Sequence, residues 1–362
     1  AGDAVEVEVP GFRVDVEREV DLIEEIVRVQ GYDRVGSSLP RGAQAGGRPE
    51  PYAFARRLKD VLAAAGLHEI RPAPFASRED LSAAGGADGA HGGGGAVVVA
   101  NPLRAEEAYL RTSLLPGLAH AVARNLDLGV RSIGLFEVGR VFGTGRVPDE
   151  PFEERRVAAF VLAGPAEDRW YGSDRPFDVL DARGVLESTL DAVGVTGWSL
   201  GDAPGRPFHP GRSARVLLEG EPVGVVGELH PAVAAAFDVD GRVAVCELDV
   251  DALIAGARKE FRVREVPRVP PVRRDLAFVL PSDAPAGEVR AALEEAAGEL
   301  FDDATLFDVY EGPPLPDGRK SLAFAVAFRA EDRTLESEEV QPAVDRIAAA
   351  IAERFGGELR SG

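Results

Sequence analysis

An α+β fold is predicted for this 362-residue chain: a mainly antiparallel sheet with interleaved helices, followed by a separate β-α-β-β-α-β unit. Three observations predict it. Strand-like and helical patterns interleave, and many strands follow one another across hairpin-length turns. Residues 268–362 fall into the ferredoxin-like split order of strand, helix, two strands, helix, strand. Two punctuated stretches divide the chain: SSLPRGAQAGGRPE at 37–50, and the basic, proline-rich run 256–272, whose linker proper is 256–267.

The domains so marked are 1–36, 51–255 and 268–362. The first is a strand-like run and a helix ending at Gly31-Tyr32-Asp33. The second opens with a helix over 51–67, where Phe54, Leu58, Val61 and Leu62 recur at helical spacing and Gly66 suits the position beyond the end. A strand is expected near 69–75. The tract AAGGADGAHGGGG (83–95) lacks the GK[ST] of a phosphate loop and reads as a flexible hairpin tip. VVVANPL (97–103) starts the next element, and a helix entered at Pro116 lies within 108–129. Strands follow at 133–142, 155–163, 214–218, 222–228 and 243–248, with a helix over about 180–194 and a shorter one after Pro231.

In the last domain Leu276, Phe278 and Leu280 share one face of a strand at 273–280. Leu322, Phe324, Val326 and Phe328 alternate along 321–330 in the same way. Between them stand a helix started by Pro285 (285–300), a strand (302–312) and a P-D-G turn (313–319). A helix over 337–355, stopped by Gly356-Gly357, and a strand at 357–360 complete the order.

Composition bounds the function. At 45% hydrophobic residues the chain is globular, and no apolar run approaches the roughly 18 residues of a membrane span. No signal peptide opens it. The lone cysteine, Cys246, cannot form an internal disulfide, which fits a reducing cytoplasm. There is no methionine, so residue 1 reads as a cut or processed end. A net charge of −20 argues against a nucleic-acid-binding surface overall, so any RNA contact needs a local basic patch or a partner chain.

The most telling chemistry lies near the start. In RVDVEREVDLIEEIVRVQGYDRV, Leu22, Ile23, Ile26 and Val29 make an apolar helical stripe. Asp21, Glu24 and Glu25 then share one helical face at i, i+3 and i+4, with Asp15 at the end of the preceding strand-like run. Like charges at this spacing repel unless a cation sits among them, and a hard cation such as Mg²⁺ would answer that charge. The other reading is a solvated acidic helix start, where the dipole favours Asp and Glu. The string R-x-D-V-x(4)-D-L-I-E-E-I-x-R-x-x-G-Y-D resembles the end of a small domain in the β subunit of bacterial phenylalanyl-tRNA synthetases. That resemblance implies that Asp15, Asp21, Glu24 and Glu25 bind Mg²⁺ together with the family's α subunit.

Further strings carry the resemblance along the chain. N-P-L-x(6)-L-R-T-S-L-L-P-G-L (101–118), L-F-E-V-G-x-V-F (135–142), H-P-G-R-S-A (209–214) and V-G-E-L-H-P (226–231) are similar to the family's middle region. They imply a class II synthetase-like core that has lost catalytic function. In agreement, there is no F-R-x-E string to clamp ATP and no glycine-rich strand-to-helix segment ending in a catalytic arginine. Arg111 and Glu137 read as remnants that serve packing and subunit contact. His209 and His230 both precede prolines at turns. Neither has a second His or Cys at ligand spacing or a nucleophile beside it, so both read as structural.

The last domain resembles the family's ferredoxin-fold anticodon-binding domain in P-x-x-R-R-D-L-A (ending at Ala277), L-F-D-V-Y-E-G (306–312), G-R-K-S-L-A-F (318–324), R-T-L-x-x-E-E-V (333–340) and E-L-R (358–360). The resemblance implies contact with the tRNA anticodon stem. Arginines suit phosphates and aromatics can stack on unpaired bases, which makes Arg273, Arg274, Arg319, Lys320 and Arg333 the candidate cations and Phe307 and Tyr310 the candidate stackers. Phe307 as a core residue is the plain alternative.

The resemblance covers nearly all of residues 12–361. It implies a cytoplasmic complex of two α and two β chains that joins phenylalanine to tRNA(Phe) at the expense of ATP. In that complex α holds the chemistry. By the resemblance, this chain would scaffold α, share Mg²⁺ with it and hold the tRNA anticodon stem. The family's N-terminal tRNA-binding and editing domains are not in this sequence, so clearing of tRNA mischarged with tyrosine is not expected of it. One alternative is a stand-alone tRNA-binding or regulatory module without ligase activity, which leaves the acidic quartet without a partner. Another is a self-sufficient class II ligase, against which the missing ATP motifs argue.

Overall fold

The computed structural model describes residues 4–38, 46–85, 95–144, 152–166, 175–258, 266–330 and 332–360. The expected glycine-rich tip at 86–94 and the middle of both expected linkers, 39–45 and 259–265, lie outside the described residues. The chain divides into two compact units, Ala1–Lys259 and Glu260–Gly362, and the division falls inside the expected second linker.

The first unit begins with α1 (Glu19–Gln30), α2 (Glu50–Ala64), the short strands β1 (His68–Glu69) and β2 (Phe75–Ala76), α3 (Arg78–Ala83), β3 (Tyr109–Leu110) and α4 (Leu115–Asp127). It continues with β4 (Ile133–Thr144), β5 (Phe152–Ala163), α5 (Val179–Val193), β6 (Trp198–Leu200), β7 (Phe208–Leu218), β8 (Glu221–Leu229), α6 (Pro231–Ala236), β9 (Val243–Asp249) and α7 (Val250–Gly256). Seven strands form one sheet in the order β1-β4-β5-β9-β8-β7-β6. Every pair in it is antiparallel except β1 with β4.

The central strands are covered on both faces. Along β5, Ala158, Phe160 and Leu162 enter a core with Phe54, Leu58 and Leu62 of α2 and Leu186 and Leu190 of α5. The alternate residues Val157, Ala159 and Val161 enter a second core with Leu115, Leu118 and Val122 of α4 and Val233 of α6. β9 divides its side chains the same way, Cys246 and Leu248 to the first and Val243 and Val245 to the second. Strands buried on both faces read as continuous apolar runs, as at 157–163 and 243–246.

Several local expectations change for identifiable reasons. The strand expected before α1 does not form. Residues 4–18 turn instead, with Arg13 N–H donating to Pro10 O and Val16 N–H to Arg13 O, and no strand among the described residues pairs with them. The strand expected near 69–75 is split into β1 and β2 by Pro72 and Pro74, which cannot donate to a ladder. VVVANPL contributes only an isolated bridge between Val98 and Tyr109. β7 starts well before 214, and its pairing with β8 slips between Phe208 and Ser213 around Pro210-Gly211. The short elements α3, α7 and β6 lacked enough length to show a period in the sequence.

Buried polar groups tie this unit together. Arg111, 5% exposed, donates from Nη1 and Nη2 to Glu137 Oε2 and Oε1 at 3.0 and 2.7 Å, and from Nε to Arg140 O at 2.9 Å. This fork-to-fork geometry is what lets a carboxylate occupy the core. Burial pushes the Glu137 carboxyl up, against the pull of Arg111. Gly139 stands over the pair, where a Cβ would come within 2.5 Å of Glu137 Oε1. Glu247 of β9 accepts from Ser113 Oγ at 2.7 Å and Leu114 N at 2.8 Å, which fixes the start of α4. His120 of α4 lies 2.7 Å from Asp80, a capping residue of α3, with its ring edge-on to Phe237.

The second unit runs β10 (Val272–Pro281), α8 (Ala286–Ala297), β11 (Phe301–Tyr310), β12 (Arg319–Phe328), α9 (Ser337–Phe355) and β13 (Glu358–Leu359). Its antiparallel sheet has the order β11-β12-β10-β13, as the split pattern requires. Leu276, Phe278, Leu280, Leu322, Phe324 and Val326 pack beneath α8 and α9. The alternate positions, with Ala277, Val279, Ser321, Ala323, Ala325 and Ala327 at the centre, form the other face. Gly356, with φ of 60°, ends α9 in the left-handed conformation.

Arg111→Met should strand the Glu137 carboxylate in the core and cost about 3–5 kcal/mol in urea unfolding. Adding Glu137→Leu should recover much of that loss, and a single variant as stable as wild type would contradict the assignment. The hydrogen bond to Asp80 raises the His120 pKa above its ordinary value. The stabilisation is therefore complete below about pH 6.5 and fades as pH rises through the raised value. His120→Gln should accordingly lower the melting temperature more at pH 6 than at pH 9, and an equal deficit at both would remove the ion pair from the account.

Candidate functional site

The acidic quartet is held by partners within its own segment. Asp15 accepts from Arg13 Nη2 at 2.6 Å and from Nε at 3.0 and 3.2 Å. The same Nη2 donates to Glu25 Oε1 at 2.7 Å, and Arg28 Nη2 donates to Glu25 Oε2 at 2.5 Å. Asp21 caps α1, accepting through Oδ2 from the Arg18 and Glu17 amides at 2.8 and 3.0 Å. Glu24 is exposed. The Arg13 bonds hold the Asp15 carboxyl at about 2, and Arg13 with Arg28 holds Glu25 at about 2. The two capping amides hold Asp21 low. The helix brings Asp21, Glu24 and Glu25 into neighbouring turns as expected. However, no group of three or more metal-ligating side chains is assembled among the described residues. As arranged, Asp15 and Glu25 are turned to Arg13 and Asp21 to backbone amides, and the four carboxylates are not gathered around a common point. The sequence signal for that was the R-x-D spacing, which puts an arginine two residues before the first carboxylate. α1 buries no residue, and Ile23, Ile26 and Val29 of its apolar stripe are exposed.

The seven candidate RNA-binding residues are not gathered into one patch. Cross-strand register places Tyr310 beside Ser321, then Val279 and Glu358, in one row across the open face of the second sheet. Asp303, Ala327 and Arg273 form a row at the other end. Arg319 is on the same face, and its Nη1 donates to Gly356 O at 3.1 Å. Arg274 and Lys320 fall on the helix side of their strands. Arg274 Nη2 donates to Ser337 O at 3.3 Å, and Lys320 Nζ to Ser282 O at 2.7 Å. Arg333 is paired with Glu339 at 2.6 Å. The Arg273 carbonyl accepts from Arg274 Nη1 at 3.2 Å, while the Arg273 guanidinium has no hydrogen bond or ion pair among the described residues. Phe307 is a correction to the core alternative: it sits at a bulge of β11 and is 56% exposed. Tyr310 is 42% exposed, and its hydroxyl donates to Pro313 O at 2.5 Å. Sequence reasoning missed the floor of this face, although Ala alternating with aromatic residues in A-F-A-V-A-F was the signal for it.

The first unit is closely packed between α4 and the sheet. Ser113, Leu118, Phe160, Phe208 and Glu247 leave a gap of about 10 Å³ between α4 and the sheet. A groove of about 470 Å³ beside α2 is lined by Tyr52, Arg56, Lys59, Phe136, Arg140 and Arg156. Its cations are already paired, with Asp60, Glu69, Glu154 and Asp251. His209 and His230 lie closer together than their sequence positions suggest, with ring centroids 6.4 Å apart. Each uses Nδ1 to accept a backbone N–H, from Gly211 at 3.1 Å and Ala232 at 3.2 Å, which is a structural use. Cys246 is fully buried and its thiol is pushed well up by desolvation, so it is unreactive.

The family described as phenylalanyl tRNA synthetase beta chain CLM domain matches residues 35–250. The ferredoxin-fold anticodon binding domain matches 267–360, and the tRNA synthetase B5 domain matches 1–32. The phenylalanine–tRNA ligase beta subunit of Syntrophotalea carbinolica is 35% identical over 99% of this chain and 45% of its own length. That of Moorella thermoacetica is 38% identical over 98% and 44%, and that of Bacillus subtilis 33% identical over 99% and 44%. The chain thus spans a little under half the length of these relatives. A solved pyrrolysyl tRNA synthetase of Desulfitobacterium hafniense aligns with 57% of this chain and 68% of its own at 14% identity, with a TM-score of 0.44, too loose a likeness to argue from. With the first family covering more than half of its residues, the chain belongs to the phenylalanyl-tRNA synthetase β-chain family.

Proposed function

We propose that this chain is the scaffolding and tRNA-holding part of a phenylalanine–tRNA ligase, with the chemistry carried by a partner α subunit. The observation that carries the proposal is a family-matched core whose sheet is filled on both faces, joined to a unit of the anticodon-binding family. Between α4 and the sheet only about 10 Å³ is left open among the described residues, which supports reading ATP as a substrate of the complex. Under this proposal 1–36 is the tail of a small domain, 51–255 a class II-like non-catalytic core and 268–362 the anticodon-binding domain. Two α and two β chains make up the complex, which works in the cytoplasm. The buried lone cysteine agrees with that, as does the lack, among the described residues, of a helix long and apolar enough to cross a membrane. Mg²⁺ shared with α at Asp15, Asp21, Glu24 and Glu25 belongs to the same proposal. In the free chain Asp15, Asp21 and Glu25 sit on Arg13, Arg28 and backbone amides, so sharing an ion through them requires their release.

Within the second unit, which side chains are already engaged supports an order among the proposed RNA contacts. Among the described residues the Arg273 guanidinium has no acceptor, whereas Arg274, Arg319 and Lys320 already serve backbone carbonyls.

Native mass spectrometry of this chain co-expressed with the α subunit of its own genome should show two copies of each. A full-length β chain that assembles while this chain does not would assign the scaffold role to the missing length. Arg273→Gln should weaken tRNA(Phe) binding by the complex and reduce the salt slope of log K by about one. Arg274→Gln should chiefly lower stability, and the reverse pattern in salt-dependent binding would overturn the ranking.

A further inference from the structure

Asp15 and Glu25 carry like charges, yet they are drawn to the two sides of one nitrogen. Arg13 Nη2 is 2.6 Å from Asp15 Oδ2 and 2.7 Å from Glu25 Oε1. Nε covers the remaining Asp15 oxygen, and Arg28 covers the remaining Glu25 oxygen. All four oxygens of the pair are therefore engaged. The Arg13 and Glu25 side chains are only 30% and 28% exposed, so the bridge is partly shielded from water. We infer that Arg13 is the resident counter-cation of the acidic cluster, and that a divalent cation enters it only by displacing the Arg13 guanidinium from Asp15 and Glu25.

The chemistry of the two cations makes them exclusive. A guanidinium holds carboxylates in a planar fork, whereas Mg²⁺ needs oxygens in near-ideal octahedral geometry at about 2.0–2.1 Å. One site cannot meet both demands at once. Arginine does not deprotonate in proteins, so pH cannot free the pair while the carboxylates remain charged. Asp21 cannot substitute cheaply, because its Oδ2 closes the first turn of α1 against two amides. Glu24 alone has both oxygens uncommitted among the described residues, and one carboxylate is a poor site for a hard cation. Arg13 also does mechanical work: its bridge ties the turn at 11–15 to the second turn of α1 across twelve positions. A partner that shares an ion here must therefore also offer the released guanidinium a new acceptor. The inference bears only on the metal part of the proposed function, and it is read on this chain alone, so its failure would leave the ligase assignment standing.

The test is a titration of the 362-residue chain with Mn²⁺ followed by electron paramagnetic resonance, repeated with Mg²⁺ by calorimetry. Wild type should bind weakly. Arg13→Gln should bind more tightly, on the order of tenfold, the scale on which a neighbour of a metal ligand acts. Adding Glu25→Gln to Arg13→Gln should abolish the gain. In wild type, the Nε–H resonance of Arg13 should move toward the position of free arginine as Mg²⁺ saturates the chain, a readout that holds even if the variant loses its helix. Tight binding by wild type with that resonance unmoved would overturn the inference. So would an Arg13→Gln chain that keeps its helical signal and binds no more tightly than wild type.

Discussion

Two-sided burial of β5 and β9 is the constraint from which the first unit follows. A strand whose alternate side chains enter two different cores needs a helical layer on each face, and α2, α5 and α7 supply one while α4 and α6 supply the other. Fully burying a Leu, Val or Phe side chain is worth about 1.5–3 kcal/mol, whereas an exposed ion pair such as Arg56–Asp60 is worth about 0–1 kcal/mol. The cores therefore decide the architecture, and the many surface pairs only decorate it. The polar groups that matter structurally are those the cores enclose. Arg111–Glu137 and Glu247 both act at the segment leading into α4, so the L-R-T-S and F-E-V-G strings describe one packing device. The same density leaves only about 10 Å³ between α4 and the sheet among the described residues, because the space there is spent on side chains.

Much of this was legible in advance because it rests on period. The second unit was readable nearly element by element: a strict alternation at 322–328 sets the buried face of β12, and Gly356 ends α9 at the residue expected. The long strands of the first unit were legible as apolar runs. What failed to show was short or non-local. β1 and β2 are two residues each, and their pairing depends on partners far along the chain. The run before α1 has the composition of a strand but no neighbour to pair with among the described residues. Composition cannot report the lack of a partner.

The candidate sites were legible as residues and not as geometry. Helical spacing placed Asp21, Glu24 and Glu25 on adjacent turns, and the charges of Asp15 and Glu25 are answered by a cation. The cation supplied is Arg13, which lies in the quoted string itself and whose reach depends on a turn that periodicity does not encode. His209 and His230 were judged one at a time, and only the β7–β8 pairing brings their rings together. Phe307 could not be assigned to core or surface because the bulge beside it shifts the alternation by one residue.

A chain with net charge −20 that belongs to a tRNA-handling family must solve an approach problem. Its arginines are largely committed: Arg346 caps the end of α8 through Ala296 and Ala297 carbonyls, Arg319 serves the end of α9, and Arg274 the start of α9. The Arg346 and Arg319 bonds serve helix C-termini, where carbonyls lack intrahelical partners, and the Arg274 bond adds a second donor to a carbonyl in the first turn of α9. Committed arginines are not lost to a polyanion, because a guanidinium has five donors and each of these bonds uses one or two. Held at fixed angles by the carbonyls, they present their remaining N–H groups with little further loss of side-chain entropy. The negative surroundings then act as a filter. Under the proposed tRNA role, a phosphate backbone approaching along acidic stretches such as Glu336, Glu338 and Glu339 would be repelled, while one approaching the Arg273 end of the sheet would meet a guanidinium with no acceptor among the described residues. At physiological salt the repulsion fades within about 8 Å, so it steers the encounter and leaves the close contacts to decide whether the complex holds.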